Sequence, residues 1–369
     1  MIYIPINFLS LKLIGINLSL LIDLSIFVWF LFGLNINKNN YFKFFNTGVL
    51  LLIYIFRMFF SIEHFDWKYV YVSFKLLFFL FIFLGFKGDE KAFNGENDKI
   101  KQLFLLSCLL FLVDKLVGYF TQGLLYRPVL MVETNFDMVF VTELWLILKL
   151  SKEKLTYKID LLFYLILVIS LSRSAFIAVA FASTLLYLMK HKTSFKLILK
   201  LLLLCSFFIL ILGVLFYLRD PTLDINKVDR VQLLTALIDS YNENPVFLIL
   251  FGHGVNFPLP QNVCNMFSEL ALSITGDIGS CNPVILTSYF VRCLYEYGLI
   301  VTFLVPIFYF LYFKSKSNTI ISFILISPVL FASFSVGGFY NSIAILSLLL
   351  ASRFTNINNF KLNIKSSVD

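Results

Sequence analysis

Apolar residues in this chain come in blocks of about 15 to 25, and short charged or asparagine-rich stretches separate the blocks. A helix needs about 20 mainly apolar residues to cross the hydrocarbon layer of a membrane. The blocks lack the one-sided apolar stripe of a helix on the surface of a soluble protein. The pattern therefore predicts membrane-spanning helices at residues 44–62, 68–87, 100–120, 134–150, 158–171, 174–190, 195–218, 285–313, 319–334 and 338–352.

The N-terminal stretch 2–34 predicts either one span or two short ones, because Lys12 and Asp23 interrupt it. Two spans would bring the total to about 12, and one would leave it at about 11. The start of the chain lacks the basic residues and the small-residue cleavage site of a signal peptide, so no cleavage is expected. The predicted fold class is all-α, a polytopic transmembrane helical bundle that forms a single integral membrane domain over residues 1–369.

The composition agrees with this fold class, since 59% of the residues are apolar and 14% are charged. In soluble domains, roughly a half of the residues are apolar and a quarter are charged. The net charge of +8 does not indicate nucleic-acid binding, because the basic residues lie in the short connections between apolar blocks. Alternate connections hold most of them, for example 149–158 and 190–200, and basic connections stay in the cytoplasm. This rule places the C-terminus in the cytoplasm and residues 219–283 in a large loop outside.

Loops as long as this outer loop are usually functional in a compact protein. Its first part predicts a helix that is capped by Asp224 or Asn226 and ends before Pro245. The remainder, from Phe251 to Pro283, is rich in glycine, proline and asparagine and is predicted to be irregular. One face of the helix should rest on the protein or on the membrane surface, and it carries Val231, Leu234, Ile238 and Tyr241.

Arg173 interrupts an apolar run over residues 159–189, in the sequence SLSRS. The run is long for one span and short for two spans with a polar linker, so SLSRS is predicted to be a tight turn at the outer surface. Ser172 or Ser174 is positioned to cap the helix that follows. Arg173 then either reaches the lipid headgroups or faces an anionic substrate at the outer leaflet.

Other cations are also predicted on the outer side, and several converging arginines could hold a diphosphate without a metal or any other cofactor. A guanidinium group binds phosphate oxygens in two directions and never loses its charge. Glu133, in the segment YRPVLMVETNF, could act as a base or hold a sugar hydroxyl. The alternative for each residue is an ordinary surface position. The candidate cations are Arg127, Arg173, Arg219, Lys227 and Arg230.

Two further segments of the outer side carry candidate residues. His253 lies between Gly252 and Gly254 in FGHGVNF, and glycines allow a ligand to approach the backbone closely. A lone loop histidine, however, is more often structural or solvated than catalytic. Arg292 and Glu296 are one helical turn apart in SYFVRCLYEYG, and they either form a structural pair or face a cavity.

Cys264 and Cys281 share the outer loop, where an oxidising compartment would allow them to form a disulfide. Closing a loop of that length would contribute about 3 kcal/mol to stability. The chain has three histidines, His64, His191 and His253. They cannot share one metal site, because His64 and His191 are predicted on opposite sides of the membrane. No metal site is therefore expected.

The sequence also lacks several motifs that carry other chemistries. It contains no G-x-x-x-x-G-K-[ST], no H-E-x-x-H, no G-x-S-x-G and no Asp-x-Asp pair of the kind that holds a metal and a nucleotide sugar. These absences disfavour ATP-driven work, zinc-dependent hydrolysis and transfer from nucleotide sugars. A lipid-linked donor, reached from the outer leaflet, fits the chain better.

Four segments, taken in order, resemble the O-antigen polymerase and O-antigen ligase superfamily of bacterial inner-membrane proteins. They are YRPVLMVETNF, SLSRSAF, DRVQLLTALIDSYNENPVFLILFGHG and SYFVRCLYEYGLI, and they cover about residues 120–305. Arg173 matches the serine–arginine motif of the family, Arg230 its loop arginine, and Gly252 and Gly254 its glycine pair.

The chain departs from the family at one place. Many members, ligases especially, carry a His-Asn pair before the last of these segments, where this chain has Thr287 and Ser288. The matching general base is therefore missing, which weakens the resemblance to the ligases.

The resemblance implies a metal-independent glycosyltransferase of the inner membrane that acts on undecaprenyl-diphosphate-linked oligosaccharides at the periplasmic face. A polymerase of this family moves the growing chain from its carrier to the incoming repeat unit, with a chain-length regulator and a flippase as possible partners. The catalytic candidates are Arg173, Arg230, His253 and Glu133, and the candidates for substrate contact are Arg127, Arg219, Gly252, Gly254 and Arg292.

Three alternatives remain at this point. A ligase would transfer finished chains to lipid A–core. A flippase for lipid-linked oligosaccharides also has many spans and buried cations, but it does not need a long outer loop with glycine and arginine motifs. A membrane acyltransferase is disfavoured, because the chain has no pair of His and acid within one span region.

Overall fold

The structure, a computed structural model, describes residues 22–26, 75–83, 97–123, 126–130, 134–151, 157–190, 213, 232, 234–235, 237–238, 240–241, 245–255, 257–267 and 281–355. All regular elements in this part of the chain are helical, and none of its residues lies in a strand. The predicted spans 44–62 and 195–218 fall outside it almost entirely. Those at 2–34 and 68–87 are represented only by the helical segments 22–26 and 75–83.

The longer stretches form α-helices that we number in chain order. They are α1 (Asn97–Gln122), α2 (Thr134–Leu150), α3 (Tyr157–Ser170), α4 (Arg173–Lys190), α5 (Pro245–Phe251), α6 (Gln261–Met266), α7 (Tyr289–Lys314), α8 (Thr319–Ser333) and α9 (Ser342–Thr355). Short 3-10 helices occupy Pro283–Ile285 and Gly338–Tyr340. Helices α1 to α4 and α7 to α9 each fall on a stretch where hydropathy predicts a span.

Helix α2 lies at the centre of the described bundle, since its residues from Thr134 to Leu148 are all buried. It contacts α1, α3, α4, α8 and α9, while α4 packs along α8. Near the end of α2, Trp145 stacks on Phe163 of α3 with ring centroids 4.4 Å apart. A helix that is buried on all sides needs no polar face, which explains the even apolar character of its sequence.

Apolar side chains also cover the outside of the bundle. Phe120 of α1 is exposed, as are Phe303 and Leu311 of α7. Continuous exposed apolar surface marks contact with lipid or with another protein. The stretches Asp98–Thr121 and Tyr289–Lys314 are long and apolar enough to cross a membrane. Taken together, these features suggest a membrane protein.

Helix α7 is not the single straight span that hydropathy predicts over residues 285–313. Its path breaks at Gly298, where φ is 77° and ψ is 179°. The Tyr289 hydroxyl donates a hydrogen bond to the carbonyl of Thr302 at 3.1 Å, across 13 residues. In a straight helix these residues would lie about 20 Å apart along the axis. The first arm of α7, residues 289–297, is therefore folded back over the second arm, residues 299–314.

Several helix ends meet at one end of the bundle, which we call the upper end. The backbone N–H of Tyr289, at the start of α7, donates to the carbonyl of Val336, between α8 and α9, at 3.0 Å. A Cβ on Gly337, in the same connection, would lie 3.8 Å from the ring of Phe136 in the first turn of α2. The starts of α2, α7 and α9 and the end of α8 thus come together.

The loop over residues 219–283 contains more helix than the sequence predicts. Helix α5 begins at Pro245, the proline before which the first helix was expected to end, and α6 lies in the segment expected to be irregular. Before α5, the described residues 232, 234–235 and 237–238 are helical, as predicted.

The predicted face of this helical stretch, which was expected to rest on the protein or on the membrane surface, contacts the protein only in part. Leu237 and Tyr241 are buried, whereas Leu234 and Ile238 are exposed. A tertiary contact holds Tyr241 against the protein, because its hydroxyl donates to the carbonyl of Leu294 in α7 at 3.1 Å. Val231, which was assigned to the same face, lies outside the described residues.

Candidate functional site

Asn135 joins two segments that are far apart in sequence. Its side-chain oxygen accepts a hydrogen bond from Nη2 of Arg127 at 2.9 Å and another from the hydroxyl of Ser172, also at 2.9 Å. Arg127 belongs to the segment before α2, and Ser172 lies between α3 and α4. The bridge therefore places the predicted outer arginine and the SLSRS turn side by side at the upper end.

The segment that carries Arg127 is fixed by a carboxylate of α1. Asp114 accepts hydrogen bonds from the Tyr126 hydroxyl at 2.7 Å and from the backbone N–H of Val129 at 2.8 Å. Burial raises the pKa of Tyr126 to about 12, and the hydrogen bond to Asp114 and its charge act in the same direction. A second carboxylate, Asp137 of α2, accepts from the N–H of Leu130 at 2.7 Å.

Arg173 is the first residue of α4, and its side chain is half-buried. The connection from α3 consists of Leu171 and Ser172, so the apolar run 159–189 is split into two helices, as predicted. Leu171 adopts a φ of 53°, which is costly for a side chain of its size. Ser172 is the cap of α4, since its oxygen accepts from the N–H of Ala175 at 3.4 Å.

Arg292 and Glu296 form a buried ion pair in the first arm of α7. Nε and Nη2 of Arg292 donate to the two carboxylate oxygens of Glu296, both at 3.2 Å. The Tyr340 hydroxyl also donates to Glu296, at 3.1 Å, and the ring of Tyr340 lies 4.6 Å from the guanidinium carbon. Arg292 is only 6% exposed and Glu296 only 1%. The charges are thus held by each other and by one aromatic side chain.

The break at Gly298 is covered by residues 252–254 of the loop over residues 219–283. A helix break leaves backbone carbonyls without their intrahelical donors. Here the N–H of His253 donates to the carbonyl of Tyr295 at 2.8 Å, and the N–H of Gly254 donates to the carbonyl of Glu296 at 3.1 Å. The loop backbone therefore supplies the hydrogen bonds that the kinked helix has lost.

Gly252 was expected to let a ligand approach the backbone, and the structure gives it a different neighbour. Its φ is 72°, and a Cβ at this position would lie 2.6 Å from the carbonyl carbon of Glu296. The close approach is thus made by α7 itself. The ligand contact predicted at Gly252 stays a prediction, and the close approach that the structure shows is with helix backbone.

His253 belongs to an aromatic stack. Its ring lies 4.5 Å from Tyr295, 5.5 Å from Tyr241 and 5.5 Å from Phe257, with interplanar angles of 25° or less. Burial raises the pKa of Tyr241 in this stack. In this arrangement His253 packs between the loop and α7. This agrees with a structural role, which is the alternative to catalysis that the sequence analysis gave.

Cys264 and Cys281 are joined as a disulfide, with their Cα atoms 5.2 Å apart. The N–H of Leu259 donates to the carbonyl of Cys281 at 2.7 Å, so the same two segments of the loop are also linked by their backbone. Together these bonds tie α6 to the segment that leads into α7.

Three of the predicted site residues, Glu133, Arg219 and Arg230, lie outside the described part of the chain, as does Lys227. Within the described part, no group of three His, Cys, Asp or Glu side chains has an arrangement suited to a metal ion.

Other residues of the site were not singled out from the sequence. Asn135 is an ordinary residue in its segment, and only the fold reveals its bridging role. Tyr340 likewise becomes recognisable only where the connection between α8 and α9 meets α7. Glu143, at mid-length in α2, is 1% exposed, and neither carboxyl oxygen has a hydrogen-bond partner among the described residues. Its signal in the sequence is an acidic residue at the middle of a predicted span.

Comparison with known proteins does not assign this chain to a family. No protein-family model matches it, and no curated protein matches it significantly.

Proposed function

We propose that this chain is an O-antigen polymerase of a bacterial inner membrane. It would be a multi-pass, metal-independent glycosyltransferase, with its C-terminus in the cytoplasm and the upper end of the bundle at the periplasmic face. Its substrates would be undecaprenyl-diphosphate-linked repeat units. The observation that carries the proposal is the bridge from Arg127 through Asn135 to Ser172, the residue that precedes Arg173, where the helix ends meet.

The proposed reaction transfers the growing chain to the incoming repeat unit. A hydroxyl oxygen of the incoming unit attacks the anomeric carbon of the growing chain, and a new glycosidic bond forms. The bond between that carbon and the diphosphate oxygen breaks, and undecaprenyl diphosphate leaves with the electron pair. The proton of the attacking hydroxyl passes to a base.

The arginines of the upper end suit the leaving group. Negative charge grows on the diphosphate as the bond breaks, and fixed cations that face it stabilise the transition state more than the ground state. Arg173 begins the capped helix α4, and Arg127 is held by its bond to Asn135. Guanidinium groups in this role replace the metal ion that nucleotide-sugar transferases employ.

We assign Arg292 a positioning role instead of the substrate contact expected from the sequence. Two of its nitrogen atoms bond to Glu296, and its side chain is buried under Tyr340. The pair ties the folded-back arm of α7 to the connection between α8 and α9. Glu133, in the segment before α2, is our candidate for the base.

Deletion of the gene tests this function. Lipopolysaccharide from the deletion strain, separated on a gel, should show lipid A–core that carries single repeat units and no longer ladder. A retained ladder would overturn the proposal. Complete loss of O-antigen sugars from lipid A–core, with long chains still attached to the lipid carrier, would indicate the ligase. Loss of sugars with single units trapped on the cytoplasmic side would indicate the flippase.

A further inference from the structure

Helix α5 presents an apolar surface that the protein does not cover. Its sequence, PVFLILF, contains no polar side chain. Val246 is 72% exposed and Phe247 59% exposed, and Phe251 is exposed beside Phe247 with ring centroids 5.0 Å apart. A helix in a water-exposed loop would carry polar residues on this side. A cluster of large exposed apolar side chains marks a contact surface.

The opposite side of α5 is anchored to the protein. Leu248 packs against the apolar cluster that contains Tyr241, Val263 and Tyr295. At the end of the helix, the N–H of Gly252 donates to the carbonyl of Leu248 at 2.7 Å. The exposed face is therefore held in a fixed direction by packing on one side and by the loop that crosses α7.

The exposed face of α5 continues into the exposed stripe of α7. A Cβ on Gly298 would lie 2.3 Å from the carbonyl oxygen of Leu250 and 2.5 Å from the backbone nitrogen of Phe251, so the helices touch at the break. Directly beyond it, Leu299 and Ile300 are exposed. The stripe then runs down the second arm of α7 through exposed Phe303, Leu304, Ile307 and Leu311.

This stripe belongs to Tyr289–Lys314, one of two helices within the described part of the chain that are long and apolar enough to cross a membrane. A surface that continues such a stripe past its upper end reaches the boundary between acyl chains and headgroups. Apolar helices with bulky aromatic side chains insert at that depth. The continuity thus favours lipid over a protein partner as the occupant of the α5 surface.

We propose that α5 is an interfacial anchor whose Val246, Phe247 and Phe251 side chains insert between the acyl chains of the leaflet at the upper end. The large loop is then docked on the membrane instead of standing free in the aqueous compartment. Because Gly252 and His253 follow directly after α5, insertion of this helix also fixes the depth at which the loop crosses the break in α7. The proposal does not depend on the reaction that the protein catalyses.

Site-specific photocrosslinking tests the anchor. The full-length protein, in vesicles of phosphatidylethanolamine and phosphatidylglycerol, would carry Phe247→p-benzoylphenylalanine. After illumination, mass spectrometry of the peptide that contains residue 247 should reveal adducts with acyl chains. Phe303→p-benzoylphenylalanine, on the stripe of α7, provides the reference yield. Asn265→p-benzoylphenylalanine, at an exposed polar position of α6, is the matched control.

We expect the lipid adduct at residue 247 to approach the yield at residue 303 and to exceed the yield at residue 265 at least tenfold. A yield at residue 247 no higher than that at residue 265 would overturn the proposal, whatever residue 303 shows. Adducts between residue 247 and a second copy of the chain or another protein, in place of lipid, would overturn it as well.

Discussion

Gly252, in the segment that follows α5, lies directly against the backbone of Glu296, so close that a Cβ on the glycine would come within 2.6 Å of the Glu296 carbonyl carbon. The reciprocal contact is as tight, since a Cβ on Gly298 would meet the carbonyl oxygen of Leu250 at 2.3 Å. Two glycines, 46 residues apart in the printed sequence, thus let two backbones cross at the break of α7. This crossing holds the buried Arg292–Glu296 pair in its folded-back arm.

Substitution of either glycine should destabilise the protein. In Gly252→Ala and in Gly298→Ala, the new Cβ meets backbone atoms at a position where φ is positive. The conformational strain alone costs on the order of 1–2 kcal/mol, and the steric contact adds to it. Thermal unfolding in detergent should give a clearly lower Tm for both variants.

Gly337→Ala is the matched control, because its Cβ would find only ordinary contacts at 3.8 Å or more and its φ is −57°. We expect its Tm to stay close to that of the unchanged protein. Equal Tm values for all three variants would contradict the close crossing.

Two glutamates that are fully buried within the described part of the chain should respond differently to substitution. Glu296→Gln leaves Arg292 buried without its counter-charge, which typically costs about 3–5 kcal/mol. Glu143→Met removes a carboxyl that makes no hydrogen bond within the described part of the chain and leaves an apolar side chain of similar length, so stability should be unchanged or higher. Chemical unfolding of the purified variants measures both effects.

The double variant Arg292→Met, Glu296→Leu separates loss of charge balance from loss of packing. Apolar replacement of a whole buried pair is often neutral or better, so the double variant should be more stable than Glu296→Gln. A double variant less stable than Glu296→Gln would show that the two charges are a net source of stability.

Lys316, in the connection between α7 and α8, gives the protein a pH dependence in the alkaline range. Burial lowers its pKa from the usual 10.5 to about 8. Its amine donates to the Tyr312 hydroxyl and lies 4.2 Å above the centre of that ring. The folded state therefore favours the neutral amine, and the cost of holding it charged is present below pH 8. Stability should rise as pH increases from about 8 towards 10.5.

Tm measured across this pH range tests the effect, with Lys316→Met as the reference. The Tm of the unchanged protein minus the Tm of the variant should increase as pH rises. A difference that is constant with pH would show that Lys316 remains charged throughout.

The Cys264–Cys281 bond closes a loop with a sequence separation of 17. A cross-link over such a loop contributes about 3 kcal/mol in the chain-entropy description. Peptide mass mapping without reductant should recover the two cysteines in one linked peptide pair, and the Cys264→Ser, Cys281→Ser variant should unfold at a lower temperature. Two free thiols in protein purified from membranes would contradict the bond.

Features governed by local sequence could be predicted, and features governed by tertiary contact could not. The length of the apolar run around Arg173 is enough to predict two helices with a tight turn, and Ser172 is one of the two caps that the sequence offers. The break in α7 is different, because an isolated glycine in an apolar helix does not by itself predict a kink. The cause is the approach of Gly252, and that approach depends on the fold.

The same distinction applies to the candidate site. The arginines at the upper end are visible in the sequence as charges beside apolar blocks. The bridge from Arg127 through Asn135 to Ser172 is not visible there, since an amide side chain gives no sign of which segment it will reach. The burial of Leu237 beside Tyr241 in the helical stretch before α5 was not predicted, because the bond from the Tyr241 hydroxyl to a carbonyl of α7 is a tertiary contact that periodicity does not reveal.

The most direct measurement of the central claim is the length of O-antigen chains made by a strain whose sole copy of the protein carries Arg173→Lys. Lysine keeps the charge and the apolar stem but cannot reproduce the planar fork that grips a diphosphate in two directions. Loss of one such contact at a transition state costs on the order of 2–4 kcal/mol, roughly a hundredfold or more in rate. The protein should be present at normal abundance while long chains largely vanish, and Arg230→Lys should behave in the same way. Arg353→Lys, at the far end of α9, is the control and should leave the ladder unchanged. Normal ladders from both Arg173→Lys and Arg230→Lys would contradict the account and leave these arginines as headgroup contacts.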